Sequence, residues 1–151
     1  MKGTNPRRPL VKSDGHKLWI TEVFYTLQGE GPFAGHPSVF VRLGGCNLAC
    51  SWCDTEFENG NTYQSTDRLV QSIVSSTKAM SNQYSNEKPL VVITGGEPLR
   101  QNIYPLCASL LQKEQRVQIE TVEASYMQMV CQRTQTLRLS VPQKPFVYIE
   151  R

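Results

Sequence analysis

Three thiols within eight residues constrain this chain more than any other feature. Cys46, Cys50 and Cys53 stand at spacing C-x3-C-x2-C, just after the apolar run Val39-Phe40-Val41-Arg42-Leu43 and the pair Gly44-Gly45. Thiolates select zinc, copper(I) or iron-sulfur clusters. A structural zinc site needs a fourth ligand to close its tetrahedron, and no fourth cysteine follows at matching spacing. His16 and His36 are the candidate fourth ligands, but His16 belongs to the basic leader, and His36 sits in the turn Gly35-His36-Pro37, where a solvated turn residue is the plainer reading. A redox C-x2-C pair leaves Cys46 without a role. A cubane of four irons held by three cysteines uses all three thiols and leaves one iron open to a ligand.

The remaining composition points the same way. Five cysteines, an odd number with three clustered, fit a metalloprotein in a reducing compartment better than a disulfide framework, so a cytoplasmic location is expected. Cys107, in an apolar stretch, and Cys131, among mixed residues, read as small buried thiols. No stretch approaches a transmembrane span. The run 1–17 carries Lys2, Arg7, Arg8, Lys12 and Lys17 without an apolar core of its own; it is no secretory signal and reads as a basic, disordered leader. The remainder, 18–151, is expected to form a single domain. A net charge of +3, evenly spread after the leader, gives no nucleic-acid footprint, and neither nucleic acid nor membrane is expected as a partner.

Hydrophobic patterning predicts alternating elements. Residues 18–26 read as a strand, the Gly- and Pro-rich stretch 28–37 as loop, and 38–43 as a short apolar strand. Ser65-Thr66-Asp67 offers an N-cap to a helix marked by Leu69, Val70, Ile73 and Val74. After a polar loop over 81–88, the run Leu90-Val91-Val92-Ile93 has the continuous apolar character of a buried parallel strand. Ile103, Leu106, Leu110 and Leu111 mark a second helix, and 117–121 a further strand. Beyond it the pattern weakens, with a helix over 124–132 and strands over 137–141 and 146–149. The order β-α-β-α-β predicts a parallel sheet covered by helices. Both the cysteine loop and Gly95-Gly96-Glu97 then follow carboxyl ends of parallel strands, where such sheets bind ligands.

The cysteine loop, with Trp52 just before its last cysteine, resembles that of the radical S-adenosylmethionine (SAM) enzymes, and Thr94-Gly95-Gly96-Glu97-Pro98 resembles their second signature. Three segments bring the likeness to the 7-carboxy-7-deazaguanine synthases: Leu27-Gln28-Gly29-Glu30-Gly31, then Val41-Arg42-Leu43-Gly44-Gly45-Cys46 on through Cys53-Asp54-Thr55, then Val92-Ile93-Thr94-Gly95-Gly96-Glu97-Pro98. Three separated motifs in the right order make the resemblance specific. It implies an α/β fold, a partial (incomplete) parallel β/α barrel of the radical SAM type. A 4Fe-4S cluster on Cys46, Cys50 and Cys53 is implied, with SAM bound by Trp52, Gly95, Gly96 and Glu97, and Mg²⁺ by Thr55. Leu27, Gln28, Gly29, Arg42 and Thr94 are the implied substrate contacts. The implied reaction converts 6-carboxy-5,6,7,8-tetrahydropterin to 7-carboxy-7-deazaguanine with loss of ammonia. An external electron donor such as flavodoxin and a homodimer come with it.

Plainer readings stand beside these. Gly95-Gly96 also suits an ordinary strand-to-helix turn, Trp52 simple packing, and Thr55 a turn hydroxyl. Arg42 is a lone charge in an apolar strand, costly unless paired, and its fork matches a carboxylate. The likeness covers residues 20–121 and then fades: Val122-Glu123-Ala124 replaces the family's small residue, Gly and Thr, and the family's Ser-Pro-Lys motif is echoed only in Ser140-Val141-Pro142-Gln143-Lys144. A domain incomplete at its C-terminus, truncated or frameshifted, is therefore expected. Two rival functions are a glycyl-radical activase, opposed by the Gln28-Gly29-Glu30-Gly31 loop and Cys53-Asp54-Thr55, and a non-catalytic metal-binding fragment.

Overall fold

A computed structural model of the chain describes residues 6–51, 53, 55–84, 88–122, 138–143 and 146–150. The strands are β1 (Lys17–Leu27), β2 (Pro37–Leu43), β3 (Thr62–Ser65), β4 (Leu90–Gly95), β5 (Arg116–Glu120), β6 (Arg138–Gln143) and β7 (Phe146–Glu150), and the helices α1 (Thr66–Tyr84) and α2 (Tyr104–Gln112). They form one open sheet in the order β3-β1-β2-β4-β5-β7-β6. Its centre is the expected unit: β2, β4 and β5 are parallel, and α1 and α2 lie between them in the chain.

The flanks are antiparallel. β1 runs against β2 and β3, and β7 against β5 and β6. The connection from β1 to β2 holds only a single 3-10 turn, Gly31–Phe33, and is too short for the crossover of a dozen or more residues that parallel neighbours require. β3 is an addition to the predicted pattern, because Thr62-Tyr63-Gln64-Ser65 lacks apolar alternation and becomes a strand by pairing with residues 17–20. α1 runs on to Tyr84 where a loop was expected from 81, with Met80 still packed in the core. Thr66, in the predicted cap, donates its hydroxyl to the Gly15 carbonyl and its N–H to the His16 carbonyl. The helix predicted over 124–132 lies outside the described residues.

Strand alternation gives the sheet two unlike faces. On one, Leu18, Ile20, Val39, Val41, Leu43, Val91, Ile93, Val117 and Ile119 pack against Leu69, Ile73, Leu106 and Leu110 of the helices. Each fully buried Leu or Ile contributes about 1.5–3 kcal/mol, so this face holds the fold. The other carries a smaller apolar cluster, Phe40, Leu90 and Val92, with Phe24 stacked on Phe40 at 5.2 Å. Toward the carboxyl ends of β2, β4 and β5 this second face turns polar: Arg42 pairs in register with Thr94, and Gln118 with Val92. No helix among the described residues is long and apolar enough to cross a membrane.

Candidate functional site

Where β2 ends, Gly44 donates its N–H to the Trp19 carbonyl at 2.9 Å and Gly45 to the Phe57 carbonyl at 3.1 Å, which fixes the entry to the cysteine loop. Cys46 is buried, Cys50 and Cys53 are half-buried, and all three are free thiols. The Leu48 N–H points at Cys46 Sγ at 3.4 Å, the kind of donor that supports a cluster thiolate. Burial pushes the Cys46 thiol up, the Leu48 N–H opposes this, and Glu97, Cys50 and Cys53 reinforce it. A bare thiolate is thus disfavoured there, and a cation reverses that balance. Among the described residues no three His, Cys, Asp or Glu side chains converge on one point that would hold a metal ion. His36 is packed edge-on against Phe33 at 5.3 Å, before the start of the seven-residue β2, about 20 Å along the strand from the thiols. Cys107 is wholly buried in the helical core. Trp52 and Cys131 lie outside the described residues.

β4 ends against this loop. Gly96 donates to the Leu43 carbonyl at 3.2 Å and Glu97 to the Gly45 carbonyl at 3.3 Å. A Cβ on Gly95 would run into the Leu43 backbone, and one on Gly96 into the Gly45 carbonyl and Cys46 Cβ. Backbone contact between the two strand ends therefore demands both glycines, a need the motif alone does not reveal. The Glu97 carboxylate is buried and accepts from Leu99 N–H at 2.9 Å, Thr121 Oγ1 at 2.7 Å and Val122 N–H at 3.3 Å. It ties the ends of β4 and β5 together.

On the polar face Arg42 has a partner after all. Antiparallel pairing sets Glu22 opposite it, at 3.0 Å, and its guanidinium lies over Phe24 at 5.3 Å. Gln28 is buried, donating from Nε2 to Glu120 Oε1 at 2.9 Å and accepting from Glu30 N–H at 3.1 Å. Gln118, fully buried, donates to the same Glu120 oxygen at 3.2 Å. Two buried polar atoms, Arg42 Nε and Gln118 Oε1, have no protein partner; each costs about 1–3 kcal/mol unless water or a ligand meets it. Sequence reasoning passed over Glu22, Gln118 and Glu120, although Gln118 and Glu120 alternate with Val117 and Ile119 in an otherwise buried strand. Leu27 is 59 % exposed and lines a separate cavity of about 730 Å³ with Tyr25 and Met80. Gly29 has open space about it. Thr55 is half-buried, its carbonyl accepting from the Cys53 thiol at 3.7 Å.

Over 121 residues, 80 % of its length, the chain is 53 % identical to a 7-carboxy-7-deazaguanine synthase of Rhodospirillum rubrum. It is 50 % identical over 123 residues to the protein of that name in Rickettsia prowazekii. The chain belongs to the 7-carboxy-7-deazaguanine synthase family. It spans about half the length of the curated relatives it matches, 48 % and 50 % of these two. The crystal structure of QueE from Escherichia coli superposes with a TM-score of 0.55 at 32 % identity, over 70 % of this chain and 52 % of that one. The parallel β2-β4-β5 core with antiparallel flanks is thus an incomplete α/β barrel of the radical SAM type. No family model matches the chain.

This synthase-family chain also carries a contact that its motifs do not announce. Arg7 bridges to Cys46, and Arg8 donates its N–H to the Cys46 carbonyl at 2.6 Å and sets its guanidinium on Glu58 at 2.7 Å. Val11 then donates to the Arg100 carbonyl at 2.8 Å. From residue 6 the basic leader lies along the outside of the cysteine loop.

Proposed function

We propose that this chain carries the cluster- and substrate-binding part of a radical SAM lyase that converts 6-carboxy-5,6,7,8-tetrahydropterin to 7-carboxy-7-deazaguanine with release of ammonia. The observation that carries the reading is the joint between the two loops, where Gly96 and Glu97 bond to the Leu43 and Gly45 carbonyls next to Cys46. Cys46, Cys50 and Cys53 would hold a 4Fe-4S cluster, a fit supported by three free thiols and a backbone donor on Cys46. SAM would lie against Gly95, Gly96, Glu97 and Trp52, and Mg²⁺ at Thr55. When bound, cluster and SAM supply one electron and a hydrogen-abstracting group.

The chain's own residues supply orientation. Glu22 steadies Arg42 from one side, and the unpaired Nε offers a donor to a substrate carboxylate. Gln118 Oε1 and Glu120 offer acceptors to pterin N–H groups, beside Gln28 and Thr94. Phe24, Phe40 and Val92 form an apolar floor. Leu27 and Gly29 would contribute through the loop that positions Gln28. An external donor such as flavodoxin, a homodimer and a cytoplasmic location complete the proposal, with no nucleic-acid or membrane partner.

The test is anaerobic reconstitution followed by chromatography after addition of dithionite, SAM and the pterin. Iron and sulfide in cubane stoichiometry, with 5'-deoxyadenosine accumulating beside a smaller amount of 7-carboxy-7-deazaguanine, is the expected result. One stoichiometric zinc and no iron would instead favour a metal-binding fragment.

A further inference from the structure

Among the described residues, Arg100 is a buried cation without a carboxylate partner. Its side chain follows the 3-10 turn Pro98–Arg100, just past Glu97, and the residue is only 6 % exposed. Its guanidinium lies over Trp19 at 5.7 Å and makes one long hydrogen bond, 3.5 Å, to the Gly44 carbonyl. A Cβ on Gly45 would touch its Nη1 at 3.0 Å, so the charge sits directly behind the residue that precedes Cys46. Its Nε has no partner.

Three other cations of the described residues are paired with carboxylates. Arg8, which shares the Trp19 ring at 6.0 Å, is met by Glu58; Arg42 is met by Glu22, and Lys88 by Glu114. No carboxylate pairs with Arg100 among the described residues. The titratable groups that act on it are Tyr63, Arg8, Glu58 and Cys46, and Glu58 is already engaged by Arg8. A buried charge left this way is expensive, and a guanidinium does not escape by losing its proton. An anion facing it would offset that cost, and the adjoining structure is the loop that bears the three thiols.

We propose that Arg100 is the resident counter-charge of the cluster and makes the cluster easier to reduce. This rests on the cluster reading above. A cubane with three thiolates is net anionic and gains one further negative charge when it takes one electron from an external reductant. A fixed cation behind the loop favours the reduced form over the oxidised one. Arg100 is thus a positioning residue for charge, acting through the loop and without touching substrate.

Redox titration of the reconstituted protein without SAM, followed by the paramagnetic signal of the reduced cluster, tests this. Arg100→Met should lower the reduced-to-oxidised ratio at fixed potential roughly tenfold, about 59 mV for a one-electron couple. Arg100→Lys should restore most of it. The metal-free Arg100→Met protein should melt no lower than metal-free wild type, since it loses an unpaired charge. A ratio within about twofold of wild type, or a shift that appears only with SAM, overturns the assignment. So does equal destabilisation of metal-free and loaded Arg100→Met, which would mean that the side chain serves as packing on Trp19. Should Arg100→Met take up no iron, Arg100→Gln and Arg100→Lys decide: loading restored by Lys alone supports the proposal, and loading lost in both overturns it. A wild-type chain that binds no iron sinks the cluster reading itself.

Discussion

Gly96→Ala tests whether the glycine pair serves the fold or only a ligand. A methyl group at Gly96 meets the Gly45 carbonyl and Cys46 Cβ, the latter at 2.8 Å, well inside contact distance. Neither side has room to retreat, because Gly96 and Glu97 are bonded to Leu43 and Gly45 on both flanks of the contact. Overpacking of this kind costs about 1–3 kcal/mol, and stretching one of those bonds about 1 kcal/mol more. At about 2–4 °C per kcal/mol for a chain of this size, the melting temperature should fall by roughly 5–15 °C. The assay is thermal unfolding of the metal-free protein by circular dichroism, which reports the fold with no cofactor present. Gly29→Ala is the control: nothing lies within 4 Å of the added Cβ, so its effect should stay within about 0.5 kcal/mol. If metal-free Gly96→Ala melts with Gly29→Ala, the strand ends do not need the glycine, and the steric reasoning fails.

Other outcomes follow from the same geometry. Alanine at Cys46, Cys50 or Cys53 should each abolish iron binding, whereas Cys107→Ala should keep it and lose about 1–2 kcal/mol of stability; iron analysis and thermal melts separate the two effects. Arg42→Met should cut product formation at least tenfold, roughly the worth of one charged hydrogen bond, while stability moves by less than about 1 kcal/mol, because the Glu22 pair is partly exposed. Loss of fold instead would assign Arg42 to structure. The Cys46 thiol is raised by burial, so its contribution to the metal-free fold is fully present below the ordinary thiol pKa and is lost as pH rises through the raised value. Melts over about pH 7–10 should therefore decline more steeply for wild type than for Cys46→Ala, and equal slopes would refute it. Thr55→Ala should weaken the Mg²⁺ dependence of turnover with the cluster spectrum unchanged; an unaltered Mg²⁺ response would return Thr55 to a turn residue.

Much of the site is local and therefore legible. Thiol spacing, the apolar run that becomes β4 and the helical repeat of Leu69, Val70 and Ile73 depend on neighbours within one or two turns of chain, and such patterns survive in one dimension. The parallel β2-α1-β4-α2-β5 order followed from them, and with it the placement of both loops at strand ends. The antiparallel flanks were not legible in the same way. β3 has no pattern of its own and exists only through pairing with residues 17–20.

Charge required the tertiary structure most of all. Arg42 reads as a lone cation in an apolar strand, yet Glu22, twenty residues away, answers it because antiparallel register sets the two opposite each other. Arg100 reads as an ordinary basic residue in a turn, yet folding buries it behind Gly45 with no carboxylate paired to it among the described residues. Glu97 reads as part of a ligand signature, yet its oxygens close the gap to Thr121 and Val122. Residue types and their spacing determined which chemistry this chain can hold, because ligation by thiols depends on a few atoms in one loop. Which charges are paired, which glycines are obligatory and where the leader runs depend on distances between remote segments, and only the folded chain sets those.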